Sequence, residues 1–166
     1  ILTDEFLRQL INIGEVDIVV GLSTHNNAKT IGPVIAAIQA GILKCFPRER
    51  VAIINADGGS QDDTTELVKK ASIDDLRRDH KVYALRTLHS NSVRYGRIPD
   101  PGMALQTILE GSDLLRAKTC VLISPDSTTI EPDWLQRLAR PSYYDNFDLV
   151  CHIYRRQKFE GALVRD

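Results

Sequence analysis

The 166-residue chain is 43% hydrophobic and carries 21 basic against 22 acidic residues, for a formal net charge of -1. That length suits one domain with a sizeable core. A near-neutral field favours neither nucleic acid nor an anionic membrane as partner, and 6% aromatic content argues against base-stacking platforms. No apolar run approaches bilayer length and no secretory leader is visible, so no transmembrane segment is expected. Cys45, Cys120 and Cys151 show no paired spacing. Two of them lie in apolar strand-like runs, which reads as buried thiols in a reducing, cytoplasmic compartment. Ile1 rather than Met stands first, so a piece of a longer chain is expected.

In chain order, Thr3-Asp4-Glu5 followed by Phe6, Leu7, Leu10 and Ile11 predicts a capped amphipathic helix that stops near Gly14. Val16 to Leu22 is a continuous apolar run of the kind a doubly covered parallel strand needs. It ends in the polar cluster Ser23-Thr24-His25-Asn26-Asn27. Ile31, Val34, Ile35, Ile38 and Ile42 then fall at helical spacing, with Pro33 tolerable in the first turn and Phe46-Pro47 as the stop. Val51 to Ile54 is the second buried strand, which completes a βαβ unit.

That strand dies into Asn55-Ala56-Asp57, then Gly58-Gly59-Ser60 and further acidic residues. Thr64 to Ala71 predicts a shorter helix, Ile73 to Lys81 a solvated charged surface, and Val82 to Leu88 a third strand near a sheet edge. Ser90 to Gly102 holds too many Pro and Gly for regular structure, and loops of that length are often functional. Met103 to Ala117 reads as a helix, with Ala104, Ile108, Leu114 and Leu115 on one side and Gly111 costing about 1 kcal/mol relative to Ala. Thr119 to Ile123 is a fourth buried strand, running into Ser124-Pro125-Asp126. Glu131-Pro132-Asp133-Trp134 opens a short helix that Pro141 ends, and Asp148 to Tyr154 reads as a fifth strand before the basic run Arg155-Arg156-Gln157-Lys158. The order is βαβαβαβαβ: an open α/β sheet with helices on both faces.

Strands ending near Leu22, Asn55 and Ile123 deliver polar residues to one rim, the place where such sheets bind ligands. Two of them deliver a carboxylate, Asp57 and Asp126. Neither a GxGxxG nor a Walker loop is present, which disfavours a dinucleotide-dependent oxidoreductase. A carboxylate past a strand end without a glycine cradle suits a divalent cation, Mg²⁺ or Mn²⁺, which binds through one or two carboxylates plus substrate phosphates. Asp126 is the better metal candidate because Ser127, Thr128 and Thr129 add hydroxyls, whereas Asp57 is placed to accept N–H donors of a base or ribose. The alternative is that both carboxylates cap the helices that follow.

VDIVVGLSTHNNAKTIGPVI followed by IINADGGSQDDTTELV resembles the amino-terminal half of a family-2-type glycosyltransferase of the GT-A fold. Leu22-Ser23-Thr24-His25-Asn26 stands where that family has a P-T-Y-N-like segment, and Asp57-Gly58-Gly59-Ser60 where it has D-D-G-S. IPDPGMALQTILEG is similar to its G-K-G-x-A-L loop and helix, and ISPDSTTIEPDWLQRL to the metal-binding D-x-D and the helix after it. The tail YRRQKFEGALVRD resembles the Y-R-R-H-K-Y-D-G segment of the glucosyl-3-phosphoglycerate and mannosylglycerate synthase group.

The resemblance implies that residues 1–166 are a nucleotide-sugar-binding domain, with a nucleoside-diphosphate sugar as donor and a small acidic or saccharide acceptor. Leu22, Ser23, Thr24, Asn26, Asp57, Gly58, Arg97, Gly102 and Asp126 would line the donor site, with Asp126 on the metal. Two positions depart from the pattern. Ser124 replaces the first acid of D-x-D, and Pro101 stands where a loop Lys is common, leaving Arg97 or Arg94 as substitutes. These departures support a second expectation: a GT-A-like binding module without turnover.

Overall fold

A computed structural model describes residues 2–78, 85–90, 94–95 and 98–151, with side chains over 2–71 and 100–151. Helix α1 (Asp4–Ile13) starts where Thr3 Oγ1 accepts the Phe6 N–H at 3.3 Å, and ends at Gly14 with φ 71. It precedes β1 (Ile18–Thr24), α2 (Ile31–Cys45), β2 (Val51–Asp57), α3 (Thr64–Arg78) and β3 (Leu85–Ser90). A short antiparallel pair, β4 (Arg94–Tyr95) and β5 (Ile98–Pro99), leads to α4 (Pro101–Leu114), β6 (Thr119–Ile123) and α5 (Pro132–Asp145).

The main sheet is parallel throughout, in the order β3-β2-β1-β6. Both faces are covered, which is why β1 and β2 read as unbroken apolar runs rather than alternating ones. Ile18, Val20 and Leu22 of β1 pack with Val51 and Ile53 of β2 under α2, α3 and α5. Val19, Ala52, Ile54 and Ala56 face α1 and α4 through Phe6, Leu10, Ala104 and Ile108. Helices sit closest where glycine permits it. A Cβ on Gly21 would run into Ile108 Cγ2, and one on Gly111 would stand 2.9 Å from Ile54 Cδ1. The helix propensity lost at Gly111 thus serves close seating of α4 on β2.

Several elements differ from the sequence expectation. Helix α3 runs on to Arg78, and β3 covers Leu85–Ser90 at the sheet edge. Its extent follows its ladder with β2, from Val51↔Leu85 to Ala56↔Ser90, rather than its apolarity. Helix α4 begins at Pro101 because Asp100 caps it: Asp100 Oδ1 accepts the N–H groups of Gly102 and Met103. Leu114, expected inward, is 55% exposed, as is Ile11 at 77%.

Pro141 lies inside α5 instead of ending it. Tertiary contacts outweigh the lost backbone bond there. Tyr143 and Tyr144 pack on Phe46 at ring separations of 6.4 and 6.5 Å, and Tyr143 Oη donates to Asp17 Oδ1 at 3.2 Å. The expected fifth strand is not formed over its described part, residues 148–151, where Leu149 and Cys151 are exposed. Cys151 is therefore not a buried thiol. Residues 152–154 and the basic run after them lie outside the described residues.

Helix α5 also approaches α2 at a glycine. A Cβ on Gly41 would stand 2.6 Å from the Pro132 carbonyl oxygen, and backbone cannot swing aside as a side-chain end can. Gly41→Ala is therefore expected to destabilise the fold by about 1–3 kcal/mol, the usual cost of overpacking, despite alanine's better helix propensity. Urea denaturation of both proteins checks this, and an unchanged midpoint would show that α2 and α5 separate freely.

Candidate functional site

Chain order puts β2 and β3 on one side of β1 and β6 on the other, so the topological switch point lies between β1 and β6. A cleft of about 500 Å³ opens there beyond the strand ends. Its polar wall is Ser23, His25, Asn27, Ser124 and Asp126; its apolar floor is Gly21, Ile108, Leu105, Leu122 and Pro101, completed by Ile123 and Pro125. No Lys or Arg lines it among the described residues.

Asp126 sits in the turn after β6, where Ser127 N–H donates to the Ser124 carbonyl at 3.1 Å and Thr128 N–H to the Asp126 carbonyl at 2.8 Å. Its Oδ1 accepts Asn27 Nδ2 at 2.8 Å and Thr30 Oγ1 at 3.3 Å, while Oδ2 has no hydrogen-bond partner among the described residues. Ser127, Thr128 and Thr129, with hydroxyls expected to assist, do not line the cleft. Ser124 does, and its Oγ accepts the Asp126 N–H at 3.3 Å.

Asp57 is placed differently from expectation. It belongs to no exposed rim: the residue is 1% exposed. Its Oδ1 accepts Thr24 Oγ1 at 2.9 Å and Ser60 Oγ at 2.6 Å, and its Oδ2 accepts the N–H groups of Gly59 and Ser60, both at 2.8 Å. Burial pushes its carboxyl pKa up, but the bonds from Ser60, Thr24 and Gly59 outweigh that and hold it below the usual carboxylate range. The carboxylate closes the turn after β2 and does not cap α3, which begins at Thr64. Asp62 stands at that helix start, with Oδ1 accepting from Thr64 N–H at 3.1 Å and Oδ2 from Ala28 N–H at 3.0 Å.

The remaining expected site residues divide. Ser23 and Asp126 line the cleft, and Gly102 lies beside it in the first turn of α4. Leu22 is fully buried in the core, and Thr24 is buried with its hydroxyl spent on Asp57. Gly58 N–H donates to the Thr24 carbonyl at 2.7 Å. Asn26 is exposed at φ 55, a conformation asparagine tolerates. It stitches two loops by donating its N–H to Ser60 Oγ at 2.9 Å and accepting Gln61 N–H at 2.8 Å. Arg97 lies outside the described residues, and the side chain of Arg94 is not described. Trp134 packs against the core as an anchor. Sequence reasoning passed over Asn27 and Thr30, whose role arises from contact with Asp126, 99 and 96 positions away.

Among solved structures, the chain matches glucosyl-3-phosphoglycerate synthase from Mycobacterium tuberculosis in complex with Mn²⁺, uridine diphosphate and glucosyl-3-phosphoglycerate. The TM-score is 0.54 at 23% identity, over 78% of this chain and 40% of that one. The same enzyme with Mn²⁺, uridine diphosphate and phosphoglyceric acid matches at a TM-score of 0.52 and 20% identity, over 86% of this chain and 44% of that one. The fold is of the GT-A type. The chain thus spans about two-fifths of the length of these GT-A neighbours. Neither a protein-family model nor a curated protein matches the sequence. Among the described residues no helix is long and apolar enough to cross a membrane.

Because the donors around Asp57 are built for a charged acceptor, Asp57→Ala is expected to cost on the order of 2–3 kcal/mol of stability, taking the buried acceptor away from Thr24 Oγ1 and from the Gly59 and Ser60 N–H groups. The depressed folded-state pKa adds a pH signature. The stabilisation is complete above the ordinary carboxylate value and is lost as pH falls through the lower folded value, so it fades below about pH 4. Asp57→Asn should flatten that acid-side decline in denaturation curves recorded across pH, and an equally steep decline would show that other carboxylates carry it.

Proposed function

We propose that residues 1–166 are the donor-binding part of a nucleotide-sugar glycosyltransferase, acting in the cytoplasm within a longer chain. One observation carries the reading. In a GT-A-type fold, the carboxylate of Asp126 lies in the switch-point cleft with one oxygen held and the other left for a ligand.

The donor set is compatible with a divalent cation. Asp126 Oδ2 and the hydroxyls of Ser124 and Ser23 are hard oxygens on one wall of the cleft. Among the described residues no group of three or more His, Cys, Asp or Glu side chains could hold an ion unaided. That suits Mg²⁺ or Mn²⁺, which keep waters and take phosphate oxygens beside one or two carboxylates. Asp126 would hold the ion, which when bound supplies Lewis-acid relief of charge on a departing nucleoside diphosphate.

The protein's own part is positional. Ser23, Ser124 and the α4 start confine the diphosphate, the apolar floor excludes water, and the hexose is directed at a small acidic or saccharide acceptor. Asp57 and Asn26 serve by fixing the end of β1 that carries Ser23 and the loop that carries Asn27. The M. tuberculosis enzyme named above was seen with Mn²⁺ and uridine diphosphate, which supports both groups as first probes.

A second reading, a binding module without turnover, is favoured by a specific lack: among the described residues Asp126 is the one carboxylate lining the cleft, and no Lys or Arg joins it. Calorimetric titration with UDP-, GDP- and ADP-sugars, with and without Mn²⁺, tests the proposal. One donor should bind with Mn²⁺ and bind weakly in EDTA. Asp126→Asn should erase the metal dependence, and Ser124→Asp should strengthen it by adding a hard anionic ligand. Affinity that ignores Mn²⁺ in both the parent and Ser124→Asp would overturn the metal assignment. Binding in all its forms without sugar release or transfer would favour the module.

A further inference from the structure

Asn27 ties together three segments through its side chain and its backbone N–H and carbonyl. Its N–H donates to Thr64 Oγ1 at 2.8 Å, on the β2–α3 side. Its Oδ1 accepts His25 N–H at 2.7 Å, and its carbonyl accepts the N–H groups of Thr30 and Ile31, both at 2.9 Å, at the start of α2. These bonds account for the local turn. One group is left over, Nδ2, and it reaches across the cleft wall to Asp126 Oδ1 at 2.8 Å.

The rest of Asp126's surroundings could not do this work alone. Thr30 Oγ1 stands 3.3 Å from Asp126 Oδ1 and also 3.3 Å from the Asn27 carbonyl, so its single proton serves one acceptor at a time. Asp126 is exposed, and an exposed aspartate is free to rotate about its side-chain torsions unless something holds it. A neutral amide is suited to the task. It donates to one oxygen without neutralising the charge, as lysine or arginine would, and without repelling it, as an acid would.

We propose that Asn27 is a positioning residue: its side-chain amide fixes the Asp126 carboxylate so that Oδ2 remains presented to the cation and diphosphate of the donor. This rests on the nucleotide-sugar reading above. The geometry makes Asn27 act through Asp126 rather than on the nucleotide, which separates it from the other polar residues of the cleft wall.

The test is a double-mutant cycle read by calorimetry, with uridine diphosphate as probe in Mn²⁺ and in EDTA. Asn27→Ala should weaken binding in Mn²⁺ about tenfold, leave binding in EDTA unchanged, and add nothing in an Asp126→Ala background. Equal losses with and without Mn²⁺ would make Asn27 a direct nucleotide contact. A loss that persists in Asp126→Ala would make it a purely structural residue, and no loss would remove it from the site; each of these overturns the proposal.

A second measurement stands apart from any ligand and from the folding of the Asn27 variant. In NMR spectra of the parent, the Asn27 side-chain amide protons should exchange slowly with water and lie at hydrogen-bonded shifts, and both features should vanish in Asp126→Ala. Fast exchange in the parent would overturn the positioning role. Slow exchange in a parent that binds no uridine diphosphate would uphold it and overturn the donor reading instead.

Discussion

At 1% exposure, the Asp57 carboxylate lies at the joint between β1 and β2, where an unpaired charge would cost several kcal/mol. Donors from both sides of the joint meet it: Thr24 from the end of β1, Gly59 and Ser60 from the turn after β2. Each oxygen accepts two of these bonds, so the strand ends and both loops are fixed together. Ser60 passes the constraint outward, since the hydroxyl that donates to Asp57 also accepts the Asn26 N–H. Asn26 is next to Asn27, and Asn27 holds Asp126. An unbroken series of hydrogen bonds and adjacent residues therefore runs from a buried charge under β1 and β2 to the exposed carboxylate beyond β6.

The sheet supplies the other half of the geometry. Continuous apolar strands demand cover on both faces, and the helices that provide it leave room only past the strand ends. Between β1 and β6 the connections depart in opposite directions, so among the described residues no crossover loop fills the space. Gly21 deepens it at the base. Without a side chain there, Ile108 of α4 settles directly on β1, and the α4 start with Pro101 and Leu105 forms the facing wall. The cleft is thus a consequence of packing before it is a consequence of chemistry.

What could be read from the chain follows from which forces are local. The strand at Val51, the helix at Ile31 and the cap at Thr3 each depend on periodicity or on a partner within three residues, and each appears as expected. The strand at Thr119 has the expected extent but, at the end of the described sheet, is only partly buried, with Leu122 48% exposed. The family likeness in the first two strand-end segments likewise anticipated the GT-A fold. Asp57 was misplaced because Asp-Gly-Gly-Ser after a strand describes equally well a ligand on a rim and a turn closing on itself. The difference lies with Thr24, 33 residues earlier. Pro141 is a breaker by itself, and only distant partners, Phe46 just past the end of α2 and Asp17 before β1, explain why α5 continues through it. Asn27 was invisible for the same reason. Its neighbours in sequence look like any polar loop, and its distinguishing bond spans 99 residues.

Charge decides what can occupy the cleft. A diphosphate entering alone would meet the Asp126 carboxylate with no described Lys or Arg to offset it, and like charges about 4 Å apart repel by about 4 kcal/mol at the effective dielectric of a protein surface. The positive end of α4 at the facing wall is too weak to reverse this. A helix terminus contributes about 0.3–1 kcal/mol toward an anion, and here Asp100 already occupies the amides of Gly102 and Met103. A divalent cation between carboxylate and diphosphate turns the same repulsion into two attractions. Ser124 in place of a second acid then has a physical consequence. On the proposed reading, one carboxylate rather than two would leave the cation held less by the protein and more by the incoming phosphates, so cation and nucleotide would bind best together.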